Sequence, residues 1–150
     1  GGFMRLPGDH EVASNLDYTG KSAITYAGWS SNFSRDIPLP MQRAIIEPYC
    51  TKNNIEYTSY EFENDHLDWM PSLEYYIKEQ PDVIVLCSIY SMTDNVERRN
   101  EIFNLALTNN VELHFANELC SLKTEKDLNK IETYLNFAVA KKDPYIWELV

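Results

Sequence analysis

The apolar run VIVLC at 83–87, within the strand-like segment DVIVLCSI at 82–89, constrains the fold more than any other feature of this chain. A strand with one face in solvent alternates apolar and polar residues, whereas a strand covered on both faces is apolar throughout. Three other strand-like segments alternate with four helix-like segments: strands at 23–29, 55–61 and 111–118, and helices at 39–54, 71–80, 95–110 and 124–142. This alternation predicts one α/β domain with a mostly parallel sheet of four strands or slightly more, helices on both faces, and residues 82–89 at its centre.

The start of the chain lacks this regular pattern. Residues 1–20 contain four glycines and one proline and show neither helical nor strand periodicity. We therefore expect a loosely ordered N-terminal arm over 1–20 and the single domain over 21–150. No basic start followed by a long apolar stretch is present, and the three cysteines have no CxxC spacing. These features predict a reducing, cytoplasmic location.

Charge and hydropathy restrict the partners that we expect. The chain carries 13 Lys and Arg against 23 Asp and Glu, which gives a net charge of −10. A field of this sign repels phosphodiester backbones and anionic lipid surfaces, so we expect neither nucleic acid nor a membrane as a partner. The longest aliphatic run, at 83–87, is far shorter than the roughly 20 residues that a bilayer span requires. Homo-oligomerisation stays open.

Sequence motifs for bound cofactors and metals are absent. The loop after the first strand, SSNFSRDIP at 30–38, has no glycine, which excludes the phosphate loops of dinucleotide-binding and P-loop proteins. No CxxC or HExxH motif occurs either. We therefore expect no cofactor and no metal ion.

Candidate site residues come from the loops at the carboxyl edge of the predicted sheet, where such folds bind ligands. Four loops are expected there, at 30–38, 61–70, 88–94 and 114–122. Three side chains in or near them are candidates for acid/base catalysis: His114, Glu61 and Glu118. Six others are candidates for holding a ligand through hydroxyl, amide or guanidinium groups: Ser30, Ser31, Arg35, Gln42, Ser88 and Arg98.

Several of these candidates also have a purely structural interpretation. His114 also fits a core histidine whose ring nitrogens are satisfied, and Glu61 also fits an acidic surface loop. Arg98 is equally consistent with the solvated face of a helix. Ser30 and Ser31 are consistent with a loop whose serines hydrogen-bond their own backbone.

Four segments together resemble the catalytic-domain layout of serine recombinases (resolvases): YAGWSSN, QRAIIEPYC, IVLCSIYSMTD and NNVELHFANE. The resemblance implies a flavodoxin- or resolvase-like fold in which Ser30 matches the nucleophile. Gly28 stands where that family's first arginine would be, and the family's D-R-L-x-R segment is matched by Tyr90–Asp94, which has no arginine. The resemblance therefore implies the fold without recombination, because a nucleophile without guanidiniums stabilises a phosphoryl transition state poorly.

A second set of short motifs covers residues from about 22 to 136: Arg35, Pro38 with Gln42, Tyr49–Cys50, Glu61, Cys87–Ser88, Arg98–Arg99 and LHFANE at 113–118. This set is similar to the pattern of sporadic carbohydrate cluster proteins, which are small proteins encoded in bacterial surface-polysaccharide gene clusters. The similarity implies a role in lipopolysaccharide or capsule biosynthesis.

The function predicted from the sequence follows from these observations. We expect the domain to act on or bind a sugar derivative, such as a sugar phosphate, nucleotide sugar or acidic sugar, at the carboxyl edge of the sheet. Acids, an imidazole and arginines at one edge favour an enzyme with cofactor-free acid/base chemistry such as isomerisation, epimerisation or dehydration. The alternatives are a non-catalytic binding or regulatory module, and a catalytically dead resolvase-like dimerisation domain.

Overall fold

Strands and helices alternate through the chain as the sequence predicts. The computed structural model describes residues 17–28, 37–63 and 69–141. The elements in chain order are β1 (Ala23–Ala27), α1 (Leu39–Lys52), β2 (Tyr57–Phe62), α2 (Pro71–Lys78), β3 (Val83–Leu86), a 3-10 helix (Ile89–Ser91), α3 (Val96–Thr108), β4 (Glu112–Phe115), β5 (Cys120–Leu122) and α4 (Lys126–Lys141).

The sheet has five strands in the order β2-β1-β3-β4-β5. The four strands β1 to β4 pair in parallel, and β5 pairs antiparallel with β4. This strand order is that of flavodoxin-like doubly wound folds. Strand β3 lies in the middle and all four of its residues are buried, so the central position predicted for 82–89 is confirmed.

Helices cover both faces of the sheet, as predicted. On one face, which we call the α1 face, Val83 and Val85 of β3 pack in a cluster with Ile46 and Cys50 of α1. On the opposite face, which we call the three-helix face, Ile84 and Leu86 pack in a larger cluster that includes residues of α2, α3 and α4, such as Leu73, Phe103 and Ile131. The alternation of β3 side chains between these two clusters explains why an entirely apolar strand is needed at this position.

The main local difference from the sequence-based expectation is at the fourth strand. The predicted strand 111–118 is only four residues long, and the chain then turns at 116–119 into the short strand β5, which the sequence analysis missed. Helix α1 continues through Pro48 to Lys52. The N-cap of α3 is Asn95, whose side chain accepts a hydrogen bond from the backbone N–H of Arg98. None of the described helices is both long enough and apolar enough to cross a membrane.

Candidate functional site

Ser88 and Glu118 meet at the carboxyl edge of the sheet. Ser88 follows β3 and is fully buried, and its hydroxyl donates to Glu118 Oε2 at 2.6 Å. Glu118 Oε1 accepts the backbone N–H of Ile89 at 2.7 Å, and Oε2 also accepts from Asn117 at 3.0 Å. The carboxylate thus holds the start of the 3-10 helix against the β4–β5 turn. Its oxygens already have protein partners, which favours a structural role for both residues.

The carboxyl end of β1 is organised around Glu63, which directly follows β2 and is only 9% exposed. Its carboxylate accepts the hydroxyl of Tyr26 at 2.7 Å and the backbone N–H of Ser72 at 2.9 Å. Ser72 lies in the first turn of α2, where N–H groups have no partner within the helix. The residue before the helix, Met70, offers no capping side chain, so Glu63 supplies the missing acceptor and places a negative charge at the positive end of the helix.

Gly28 lies against this carboxylate at the end of β1. A Cβ atom at position 28 would lie 3.0 Å from Cβ of Glu63 and 3.4 Å from the hydroxyl oxygen of Tyr26. The fully buried amide of Gln42 holds the glycine backbone from the other side, because Nε2 donates to Gly28 O at 2.8 Å and to Ile37 O at 2.9 Å. Gln42 therefore joins the two ends of the first loop. To contact a ligand, as the sequence analysis predicts, its amide would have to give up these bonds to the backbone.

His114 lies on the α1 face and is fully buried. Its Nε2 lies 2.9 Å from Glu112 Oε1, and its Nδ1 lies 2.7 Å from the hydroxyl of Tyr49 in α1. Tyr18 donates to the same Glu112 oxygen at 2.6 Å and packs its ring edge-on against the imidazole. Burial lowers the pKa of His114 and outweighs the opposite effect of Glu112. The imidazole is therefore neutral at pH 7 and satisfied on both nitrogens.

Glu61 lies on the other side of the sheet from His114. It is hydrogen-bonded to Tyr76 of α2, on the three-helix face, and this bond and burial raise the pKa of Tyr76 to about 12. Strands β2 and β4 are also separated by β1 and β3, which amounts to roughly 14 Å at the usual strand spacing. Alternation along each strand sends Glu61 and His114 to opposite faces, so the structure does not bring these two acid/base candidates together.

The two arginines at the start of α3 form ion pairs inside the protein. Arg98 bonds Glu74 of α2 at 2.8 Å and the backbone oxygen of Trp69 at 2.7 Å. Arg99 makes a two-pronged contact with Glu132 of α4 at 3.0 and 2.7 Å. Both side chains are buried, Arg99 almost completely. The sequence-based expectation that Arg98 holds a ligand is not supported, since its guanidinium joins α3 to α2.

Three of the predicted ligand-binding residues, Ser30, Ser31 and Arg35, lie outside the described residues. Within the described ranges, no group of three or more His, Cys, Asp or Glu is arranged to hold a metal ion. The sequence analysis missed the network that Tyr18 and Glu112 build around His114. One signal was present, since the alternation Glu112-Leu113-His114 puts the carboxylate and the imidazole on the same face of a strand.

Comparison with known proteins bears on the fold. No protein-family model and no curated protein matches the chain. Among solved structures, the N-terminal catalytic domain of TP901-1 integrase is similar, with 12% identity, a TM-score of 0.56, and coverage of 81% of this chain and 94% of that domain. The C-terminal catalytic domain of ISC1926 TnpA, an IS607-like serine recombinase, has 18% identity, a TM-score of 0.47, and coverage of 81% and 84%. The integrase domain establishes the resolvase-like fold.

This similarity corrects two predictions. The assignment to surface-carbohydrate biosynthesis, with a sugar derivative as partner, is wrong, because the structural likeness is to the catalytic domain of an integrase. The family of carbohydrate cluster proteins is correspondingly unsupported. The exclusion of nucleic acid as a partner is also wrong, since it relied on net charge alone and the same fold occurs in an integrase. Net charge describes the average field of a protein and does not exclude one fold-specific role.

Proposed function

We propose that this chain is a non-catalytic resolvase-like domain that works in a DNA-recombination assembly through self-association. The observation that carries the proposal is the contact between Gly28 and Glu63 at the carboxyl end of β1. This is the end of the strand from which the recombinase pattern places its first arginine and its nucleophile. Here the fold is kept, and Glu63 crowds the position of that arginine.

A buried carboxylate at this position is unfavourable for phosphoryl transfer. The Cβ of an arginine at 28 would lie 3.0 Å from Cβ of Glu63, so the glutamate side chain would have to move by a few tenths of an ångström. Glu63 also brings negative charge to a place where a phosphate would need a cation. Every arginine among the described residues is already paired with a glutamate: Arg43 with Glu47, Arg98 with Glu74, and Arg99 with Glu132.

Exposed apolar side chains support association at the carboxyl edge. Five of the large apolar residues exposed among the described residues lie at this end of the strands: Met41, Phe62, Trp69, Val96 and Leu119. Leu119 is the most exposed, at 69%, and has a left-handed backbone with φ of 55°. This conformation costs a leucine roughly 1–2 kcal/mol. An exposed leucine in a strained turn contributes nothing to the monomer core, and an interface between two copies gives it a role.

Substitution of Leu119 tests the association directly. We expect sedimentation equilibrium across a dilution series to show a dimer, and Leu119→Asn to weaken dimerisation by roughly tenfold or more, since the interface loses a buried leucine. Asparagine tolerates the left-handed backbone, so the thermal midpoint of the monomer should not fall. Tyr134→Ser, on the exposed side of α4, is the control and should leave dimerisation unchanged.

A plasmid assay tests the non-catalytic part of the proposal. We expect the protein to leave supercoiled DNA intact, without Ser30-dependent nicks or covalent protein–DNA adducts. Adducts that disappear in Ser30→Ala would contradict the proposal. So would a chain that stays monomeric at every concentration, or a dimer that Tyr134→Ser disrupts and Leu119→Asn does not.

A further inference from the structure

A cleft of about 260 Å³ lies between the C-terminal end of α2 and the β1–β2 part of the sheet. It belongs to the three-helix face and is separate from the Ser88–Glu118 contact and from the buried His114. Ile24, Pro81 and the ring of Tyr76 form an apolar wall. Thr58, Glu61 and Glu79 supply polar groups. An apolar wall with a few convergent polar groups is the usual composition of a binding site.

The polar side of the cleft is negatively charged. Glu61 and Glu79 approach it from β2 and from the end of α2, and the last carbonyls of α2 add the negative end of a helix dipole. Among the described residues that line the cleft, none is a lysine or arginine. Two lysines adjoin lining residues in the sequence: Lys78, which bonds Glu74 at 3.1 Å, and Lys21, which is exposed. The residues that line the cleft therefore provide no counter-charge themselves.

An exposed aromatic side chain extends this surface. Tyr75 is 58% exposed and packs edge-on against Tyr76, with ring centroids 5.4 Å apart. Tyr75 is hydrogen-bonded to Glu79, which raises the pKa of the tyrosine hydroxyl and places the ring beside that carboxylate. Aromatic rings next to carboxylates attract cations whose charge is carried on an apolar stem.

We propose that this cleft binds an arginine or lysine side chain carried on a basic segment of a partner protein. The aliphatic stem lies along Ile24 and Tyr76, and the cationic head reaches Glu61 and Glu79. Charge complementarity identifies the partner: the whole chain has a net charge of −10, and the two glutamates concentrate that charge at a cleft with an apolar wall. The inference depends on this cleft alone and not on the proposed self-association.

The experiment is an NMR titration of the ¹⁵N-labelled protein with a tetra-arginine peptide. We expect amide shifts at 22–24, 58–61 and 75–81, and no shifts with the same peptide when citrulline replaces arginine. The double variant Glu61→Gln/Glu79→Gln should bind roughly tenfold more weakly, because each substitution removes a charge-assisted hydrogen bond. Glu101→Gln/Glu125→Gln removes two exposed charges elsewhere and serves as a matched control. It should change affinity less than about twofold.

Three results would overturn the proposal. Equally weakened peptide binding in both double variants would mean that the peptide binds through the net charge of the protein and not through this cleft. Shifts that map to other parts of the chain would place the site elsewhere. Spermidine that produces the same shifts with equal affinity would make the ligand a free polyamine and not a protein segment. Spectra of both double variants without peptide check that the fold is intact.

Discussion

The two faces of the sheet bury their polar groups by different means. On the α1 face, a neutral imidazole is surrounded by hydrogen-bond partners, with Glu112 and Tyr49 on its two ring nitrogens. On the three-helix face, the buried side chains of Arg98 and Arg99 reach glutamates that remain partly exposed, Glu74 and Glu132. A histidine can lose its proton when it is buried, whereas a guanidinium cannot and must be paired. The stability contributed by the α1 face should therefore depend on pH, whereas the stability contributed by the three-helix face should depend on the glutamate counter-charges.

The largest expected effect is on the three-helix face. Glu132→Ala leaves the guanidinium of Arg99 buried with the backbone oxygen of Thr93 as its remaining partner. We expect the free energy of unfolding to fall by about 3 kcal/mol, because a buried charge loses its compensation. Urea denaturation measures the change. Glu125→Ala, at an exposed site before α4, should change stability by less than about 0.5 kcal/mol. Similar losses of stability in the two variants would mean that Arg99 does not depend on its counter-charge, and would contradict this account of the three-helix face.

The next effect is on the α1 face and depends on pH. Burial lowers the folded-state pKa of His114 below its ordinary value of 6.5. Below that pH His114 is protonated in the unfolded chain but stays neutral in the folded chain. The free energy of unfolding should therefore fall, by up to about 1.4 kcal/mol per pH unit, until the folded-state pKa is reached. His114→Gln should flatten this part of the profile. An unchanged slope in that variant would contradict the account.

Glu112 adds a second pH-dependent loss of stability on the same face, and this loss occurs at lower pH. Burial raises its pKa, but the bonds from His114 and Tyr18 outweigh burial and lower it below 4.5. The stability that it adds is present above pH 4.5 and is lost as the pH falls through the folded-state value. Glu112→Gln should remove this lower loss. It should also extend to lower pH the range over which His114 reduces stability, because the carboxylate that holds the imidazole pKa up is gone.

The smallest effect is expected where the two faces meet, at Gly28. Gln42 of the α1 face holds its backbone, and Glu63, bonded to α2, limits the space above its Cα. Gly28→Ala should cost about 1 kcal/mol, since the added methyl group overpacks the contact with Glu63. A thermal or urea midpoint measures the cost. No loss at all would mean that Glu63 can move aside, and would weaken the argument that Glu63 crowds an arginine at this position.

The central part of the fold could be predicted because its residues carry their own signal. The run that became β3 is apolar on both faces, and helices flank it at regular intervals. Strand β5 could not be predicted in this way, because its three residues are too few to show a period. Asn95 and Asp94 are both good N-caps, and only the position where the helix begins distinguishes them.

The candidate site was less predictable because its outcome depends on distant partners. The edge rule correctly suggested that Ser88 and Glu118 are close, although they are 30 residues apart. Arg98 and Arg99 are a different case. Their glutamate partners lie in α2 and α4, and no local pattern distinguishes a paired guanidinium from one that is free to bind an anion. His114 was placed on the correct strand, but which helix lies opposite it is a property of the whole fold.

The hydrogen bond between Tyr18 and Glu112 limits how early during synthesis the domain can finish folding. The hydroxyl of Tyr18 bonds a residue 94 positions later in the chain. At a synthesis rate of about 5–20 residues per second, the ribosome needs roughly 5–20 s to make that partner. Until then the hydroxyl of Tyr18 lacks this partner, although the segment before β1 can already bond earlier parts of the chain, such as the backbone oxygen of Asn53 and the carboxylate of Asp82. We therefore expect the first described residues of the chain to be among the last to reach their final place during translation.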